Sequence, residues 1–290
     1  MSKELCEKIK FADENIVFDS GSQKYTLKDN ILEAYCSPSR NGEKGKCDTD
    51  KELLSSAYIA LLDNFKSIDD ENLDNDKLAQ YAILWLNSKI TQNTKIDDGA
   101  DVIYETIIKN NSWFSEHHQY IDDKKDIMKF HYIYLNNLYN FLKGICETIN
   151  KCSGSSNIDE CIESAKKCAK LYRTSLITFP WAEVCNPYCR VLSNLKKDYD
   201  QFREANNNKD QLPELTPPSG RESCENYCEI LTQKLNAEGS AIEGTEQVTT
   251  HKISLLGQSR TLTSINNGNK LPYIAIPFIL IPIILGISYK

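Results

Sequence analysis

DIMKFHYIYLNNLYNFLKGICETI, residues 126–149, is the stretch that decides the fold class. Ile127, His131, Tyr134, Leu138, Phe141 and Ile145 recur at alternating steps of four and three. That interval lines side chains along one face of an α-helix, whereas a half-buried strand needs alternation at every second residue. The spacing predicts a long amphipathic helix from Asp126 to Ile149.

The same period continues on both sides. Thr49-Asp50-Lys51-Glu52 matches a capping box, in which a hydroxyl and a carboxylate satisfy the first free backbone N–H groups. Behind it Leu53, Leu54, Ala57, Tyr58, Leu61, Leu62 and Phe65 form one apolar stripe. YAILWL, Tyr81 to Leu86, is apolar on every side, the pattern of a helix at the centre of a bundle. Val102, Ile103, Ile107 and Ile108 predict a shorter helix. Asn157 is placed to cap a helix that carries Ile158, Cys161, Ala165, Cys168 and Tyr172 on one face. Pro187, after Asn186, opens another, because a proline at the first helical position loses no hydrogen bond. Tyr188, Val191, Leu195, Tyr199 and Phe202 follow from it. No period-2 run stands out.

Residues 1–205 therefore read as an all-α domain, ordered from Leu5 to Phe202. Asn, Pro and polar residues over 206–223 predict a linker. Residues 224–237 read as a short cysteine-containing helix, and 238–270 as a flexible, low-complexity polar stalk. The chain has 290 residues, 40% of them hydrophobic, enough for a sizeable core. Its net charge of −7, with no long basic run, argues against a nucleic-acid partner. Lys3, Glu4, Glu7, Lys8 and Lys10 break any apolar stretch behind the first residue, so no N-terminal secretory signal is expected.

The other end differs. Lys270 and Lys290 bracket nineteen uncharged residues, Leu271 to Tyr289, of which eleven are Leu, Ile or Phe. At helical rise these span about 28 Å, close to the thickness of a bilayer's hydrocarbon. Pro277 and Pro282 oppose a straight helix, but lipid-embedded helices tolerate proline by local rearrangement. The expectation is a single kinked transmembrane helix over 271–289 that includes Leu271, Pro277, Pro282 and Ile287, with the lipid bilayer as a partner. The competing readings are a buried core helix and a glycolipid-anchor signal beginning at Gly257-Gln258-Ser259. Lys252, Arg260 and Lys270 precede the run and only Lys290 follows it, which by the positive-inside rule turns the main domain toward the cytoplasm.

Eleven cysteines are many for a reduced compartment, and the odd count leaves at least one thiol unpaired or intermolecular. Cys185/Cys189 and Cys224/Cys228 are two C-x3-C pairs. Residues four apart share a helix face, so two such helices lying antiparallel could be bridged twice. Zinc is the rival reading, because four thiolates suit a tetrahedral ion; the 34-residue gap and the lack of a nearby His weigh against it. Cys36 and Cys47 flank a Pro/Gly/Ser-rich loop and could close it. Cys161 and Cys168 lie on a core stripe, where a free cysteine behaves as a small hydrophobe.

Candidate chemistry is sparse. His117-His118 reads as an exposed helix start rather than a metal site. Asp70-Glu71-Asn72-Leu73-Asp74 begins like a calcium loop, but Asn75 and Tyr81 stand where that loop needs Gly and a bidentate Glu. Asn110-Asn111-Ser112 is a glycosylation sequon. No G-x-S-x-G, P-loop or dinucleotide fingerprint occurs, and nothing groups a nucleophile, a base and an oxyanion site. No catalytic residue, cofactor ligand or metal ligand is expected, and the chain is not expected to be an enzyme.

The order of these segments resembles the Plasmodium interspersed repeat (PIR) family of variant proteins of malaria parasites, closest to its rodent-parasite branch. Tyr35-Cys36 followed by Cys47-Asp48-Thr49-Asp50 is similar to the family's opening cysteine pair. Tyr81 to Asn87 resembles its tryptophan-containing central helix, and Asp122 to Met128 the start of its long helix. Leu142 to Cys146 resembles the end of that helix, and Tyr188 to Tyr199 the last helix of the ectodomain. The likeness covers Leu5 to Phe202 and resumes at the membrane run; the C-x3-C pairs go beyond the family pattern.

The resemblance implies a helical ectodomain on a variable stalk, a single transmembrane helix and a short basic tail, which has no counterpart after Lys290. It implies the family's topology, with the helical domain outward. It further implies a non-enzymatic variant surface antigen exported to the infected red-cell surface or to parasite-derived host-cell membranes. Such an antigen would act in immune evasion through an unidentified host-cell or serum ligand. The loops Ser37 to Lys46, Ser67 to Asp76 and Lys151 to Asn157 are then the candidate contact segments. The alternative is a tail-anchored, cytosol-facing adaptor with reduced cysteines.

Overall fold

The computed structural model describes residues 1–28, 30–36, 47–68, 74–154, 157–177, 185 and 187–240. The chain divides into Met1–Thr245 and Glu246–Lys290, and the second unit lies outside the described residues. Helices dominate the first unit. They are α1 (Lys3–Asn15), α2 (Asp50–Lys66), α3 (Asn75–Ile90), α4 (Ala100–Ile103), α5 (His118–Asp122), α6 (Tyr132–Gly154), α7 (Ile158–Ile177), α8 (Tyr188–Ala205) and α9 (Cys224–Ser240).

The local rules read from the sequence operate as expected in several places. The Glu52 amide donates to Thr49 Oγ1 at 3.2 Å, and the Glu52 carboxylate accepts from the Thr49 amide at 3.1 Å, so the capping box opens α2. Asn157 Oδ1 accepts from the Asp159 amide at 3.1 Å at the start of α7. Tyr81, Ala82, Ile83, Leu84, Trp85 and Leu86 are all fully buried. This is possible because α3 is packed by α2, α6 and α8, with shorter elements around it. The most extensive helix–helix contact joins α6 to α7. It is close because Gly144 has no side chain: a Cβ there would stand 2.7 Å from Leu171 Cδ1 and 3.6 Å from the Cys168 backbone.

Four readings are corrected. A two-stranded antiparallel hairpin, β1 (Ile16–Asp19) and β2 (Lys24–Leu27), follows α1, with Ile16 opposite Leu27 and Asp19 opposite Lys24. Each strand has four residues and buries only one, Ile16 or Tyr25, so no alternation could be seen. The Asp19 carboxylate accepts from the amides of Gly21 and Ser22, and Gln23 takes the left-handed conformation that closes the turn.

The long helix starts at Tyr132, not Asp126; Lys125–Lys129 is a 3-10 turn and Phe130 is extended. The reason is that Ile127 and Met128 face the core from that separate turn, while His131 is exposed and Leu135 buried. The expected short helix around Val102 is a single α turn that widens into a π-helical turn at Tyr104–Ile108. That shift leaves Val102 exposed and buries Tyr104.

The stretch read as a linker contains a packed strap. Leu212 and Leu215 are buried, Arg203 Nε donates to the Leu212 carbonyl at 3.1 Å, and the Tyr199 hydroxyl donates to the Pro213 carbonyl at 2.8 Å. Among the described residues no helix is long and apolar enough to cross a membrane. Leu271, Pro277, Pro282 and Ile287 lie outside the described residues, as does nearly all of the expected stalk.

Truncating Trp85 to Ala is expected to lower unfolding stability by about 3–5 kcal/mol, because α3 has no solvent side on which to relax. The buried Tyr58 hydroxyl has no hydrogen-bond partner among the described residues. Tyr58→Phe is therefore expected to stay within about 1 kcal/mol of the parent, or to gain stability. Urea unfolding of the disulfide-intact chain, followed by circular dichroism, measures both.

Candidate functional site: the disulfide frame and the Trp113 surface

The cysteines define a frame around the helices. Ten of the eleven form five disulfides. Cys6 on α1 joins Cys146 on α6, 140 residues away. Cys36 joins Cys47 and closes the loop 37–46, whose own residues lie outside the described set. Cys152, near the end of α6, joins Cys161 on α7 across their connection. Cys185 joins Cys228, and Cys189 on α8 joins Cys224 on α9. The two C-x3-C pairs therefore face each other as rungs, with Cα–Cα distances of 5.2 and 5.6 Å.

Two readings of the core cysteine stripe part company here. Cys161 is bridged rather than free, while Cys168 is buried and free. Burial pushes the Cys168 thiol pKa up, so it stays protonated and unreactive. Spacing carried no signal for Cys6–Cys146, because only the packing of α1 on α6 brings them together. A signal for Cys152–Cys161 did exist: both sit beside the short connection between the two helices.

Polar groups inside the frame are consumed by structure. Asp198 on α8 is fully buried. It accepts from Lys77 Nζ at 3.0 Å, from the Tyr81 hydroxyl and from the Met1 amino group at 3.5 Å. Its charge thus locks α8 to α3, and the Asn194 amide reinforces the lock by donating to Gln80 Oε1 at 2.9 Å. Lys89 is nearly buried and donates to the Asp13 and Ile16 carbonyls at 3.3 Å while pairing with the Asp13 carboxylate at 3.0 Å. That holds α1 and β1 against the end of α3.

His117 contradicts the expectation of an exposed helix start. Its ring is fully buried, with Nε2 2.8 Å from an Asp63 oxygen and Nδ1 hydrogen-bonded to the Tyr120 hydroxyl. An imidazole so enclosed has no open face for a substrate. At Asp63, burial works to raise the carboxyl pKa, but hydrogen bonds from Tyr35 and His117 and the charges of His117 and Lys66 outweigh it. The net shift is downward.

The surface offers a different kind of chemistry. Trp113 is 57% exposed and meets the half-buried Tyr35 edge to face at 6.0 Å between ring centroids. Asn111 holds the pair in place: its Nδ2 donates to the Tyr35 carbonyl at 2.8 Å and its Oδ1 accepts from the Trp113 amide at 3.0 Å. Tyr35 immediately precedes Cys36, so this aromatic platform stands at the disulfide-closed base of loop 37–46. Exposed tryptophans of this kind are a common element of protein contacts in general, since Trp supplies large contact area at low entropic cost. Sequence reading had marked the adjacent loop but not Trp113, because the edge contact joins residues 78 positions apart. Of the other marked loops, residues 69–73 and 155–156 lie outside the described set.

A family model described as Plasmodium variant antigen protein Cir/Yir/Bir matches residues 6–290. A solved structure of a Plasmodium PIR protein ectodomain superposes with a TM-score of 0.57 at 24% sequence identity, covering 74% of this chain and 99% of that one. At that identity the structure attests the shared fold. No curated protein matches the chain.

Two measurements probe the frame. Loop-closure entropy gives about 5 kcal/mol for a bridge spanning 140 residues and about 2.5 kcal/mol for one spanning 9. Replacing Cys6 and Cys146 by Ser should therefore lower the urea midpoint more than replacing Cys152 and Cys161. For Asp63, the folded pKa lies below the ordinary 3.8, so its stabilisation is present above that value and lost as pH falls through the lower one. The stability gap between the parent and Asp63→Asn should be largest near neutral pH and shrink below about pH 4.

Proposed function

Because the chain belongs to the Plasmodium variant antigen family Cir/Yir/Bir, we propose that it is a non-enzymatic, membrane-anchored surface antigen of the infected red cell. The family match over residues 6–290 is the observation that carries this reading. The fold supports it physically. Five disulfides brace the helical unit, as suits a protein that meets proteases and an oxidising medium outside a cell. The buried ionic groups Asp198 and Lys89 tie helices together, which accords with a packing role.

In this reading residues 271–289 span the bilayer, the helical unit faces outward, and the chain sits with the rodent-parasite branch of the family. The Trp113 platform and the neighbouring loop 37–46 present the contact surface for a host-cell or serum ligand, and variation in the loop alters recognition without disturbing the core. A cytosol-facing, tail-anchored adaptor is the second reading, favoured by the three cations before the apolar run against one after it.

Protease treatment of intact infected cells separates the two. The expected outcome is loss of the helical unit from outside, with a protected C-terminal fragment. Full protection of the helical unit in intact cells, together with its digestion after permeabilisation, would establish the adaptor instead.

A further inference from the structure

The two C-x3-C pairs bring their sulfurs together where the start of α8 meets α9, with Cys185 just before that helix. The sulfurs of Cys189, Cys224 and Cys228 all lie within 4.8 Å of one another, and that of Cys185 is bonded to Cys228. In a tetrahedral thiolate site with Zn–S near 2.3 Å, sulfurs stand about 3.8 Å apart. The Cys189 and Cys224 sulfurs, bonded to each other here, would have to part to reach that spacing, and the Cys228 sulfur already lies within 4.8 Å of both. Opening the two disulfides and rotating the side chains is a local rearrangement: Cys224 and Cys228 share a face of α9 four residues apart, Cys189 lies in the first turn of α8, and Cys185 precedes that helix. The 34 residues between the pairs, which counted against zinc in the linear chain, cease to matter once α9 lies along α8.

We infer that the reduced form of this protein binds one zinc ion through Cys185, Cys189, Cys224 and Cys228, and that disulfide formation displaces it. The electron balance is simple. A dithiol reductant supplies two electrons and two protons to each of the two disulfides, is itself oxidised to a disulfide, and leaves four thiols. Zinc binding then releases the thiol protons to solvent. The same four sulfurs cannot serve both bonds and metal, so zinc and oxidation compete.

Burial is graded in a way that fits the exchange. Cys189 and Cys224 are buried, while Cys185 and Cys228 are half-buried and open one side of the cluster to solvent. Among the described residues no other bridge joins such a cluster, and Cys168 is buried in the α6–α7 contact beside Gly144. Zinc held this way would keep α9 docked on α8 before oxidation, doing in the thiol state what the two rungs do afterwards.

The full chain, reduced with a dithiol and freed of reductant, is given zinc(II) alone and desalted. Bound metal is then counted by native mass spectrometry, and helicity is recorded by circular dichroism on the same sample. One zinc per chain is expected, released when an added oxidant restores the disulfides. Cys224→Ser with Cys228→Ser should abolish binding, whereas Cys152→Ser with Cys161→Ser should retain it. If the reduced chain loses helicity, zinc should restore it. Absence of stoichiometric zinc in the reduced chain, whether folded or unfolded, overturns the inference, as does binding that survives the Cys224/Cys228 double variant.

Discussion

A helix that is apolar on every side has to be enclosed on every side, and α3 imposes that demand on the whole domain. Tyr81 through Leu86 leave no polar face for solvent, so α2, α6 and α8 must surround them. The amphipathic stripes of α6 and α8 are the complement of this requirement: each turns an apolar face inward and leaves most of its charges outside, with Asp198 the buried exception, while α2 is itself buried all round from Leu53 to Leu62. Burial of one such large side chain contributes about 1.5–3 kcal/mol, and the helix carries several.

Two kinds of specific link then set the arrangement that apolar packing alone leaves loose. Asp198 is the first. A buried carboxylate must find cations and donors, and Lys77 and Tyr81 supply them from α3, which fixes where α8 lies along it. Lys89 does the same for α1 and β1. Disulfides are the second kind, and they connect elements distant in sequence: α1 to α6, and α8 to α9. With the interior so determined, change can accumulate in loops that touch little of it. Such an arrangement suits a variant antigen family, whose members would share a scaffold and differ in what they display.

Much of the scaffold was legible in advance because its signals are local. The capping box at Thr49, the apolar run at Tyr81 and the stripes of α7 and α8 each follow from a few consecutive residues obeying one period. Legibility failed where a segment was too short to show a period or where a distant partner overrode it. Each strand of the hairpin buries a single residue. Lys125–Lys129 departs from the long helix because Ile127 and Met128 dock on the core separately. Leu212 and Leu215 are two apolar residues in a polar stretch, and only the surface formed around Tyr199 and Arg203 makes them part of the domain.

The amino-acid order by itself determined that this chain is helical, that α3 is central and that its cysteines are poised for pairing, because period, capping and composition act within a few turns of chain. Tertiary structure alone decided that Cys6 meets Cys146, that His117 is enclosed by Asp63 and Tyr120, that Trp113 rests on Tyr35, and that the sulfurs of Cys189, Cys224 and Cys228 gather where α8 meets α9. Apart from the His117–Tyr120 contact, those outcomes join positions tens of residues apart. Their geometry exists only after the helices have packed around their apolar centre.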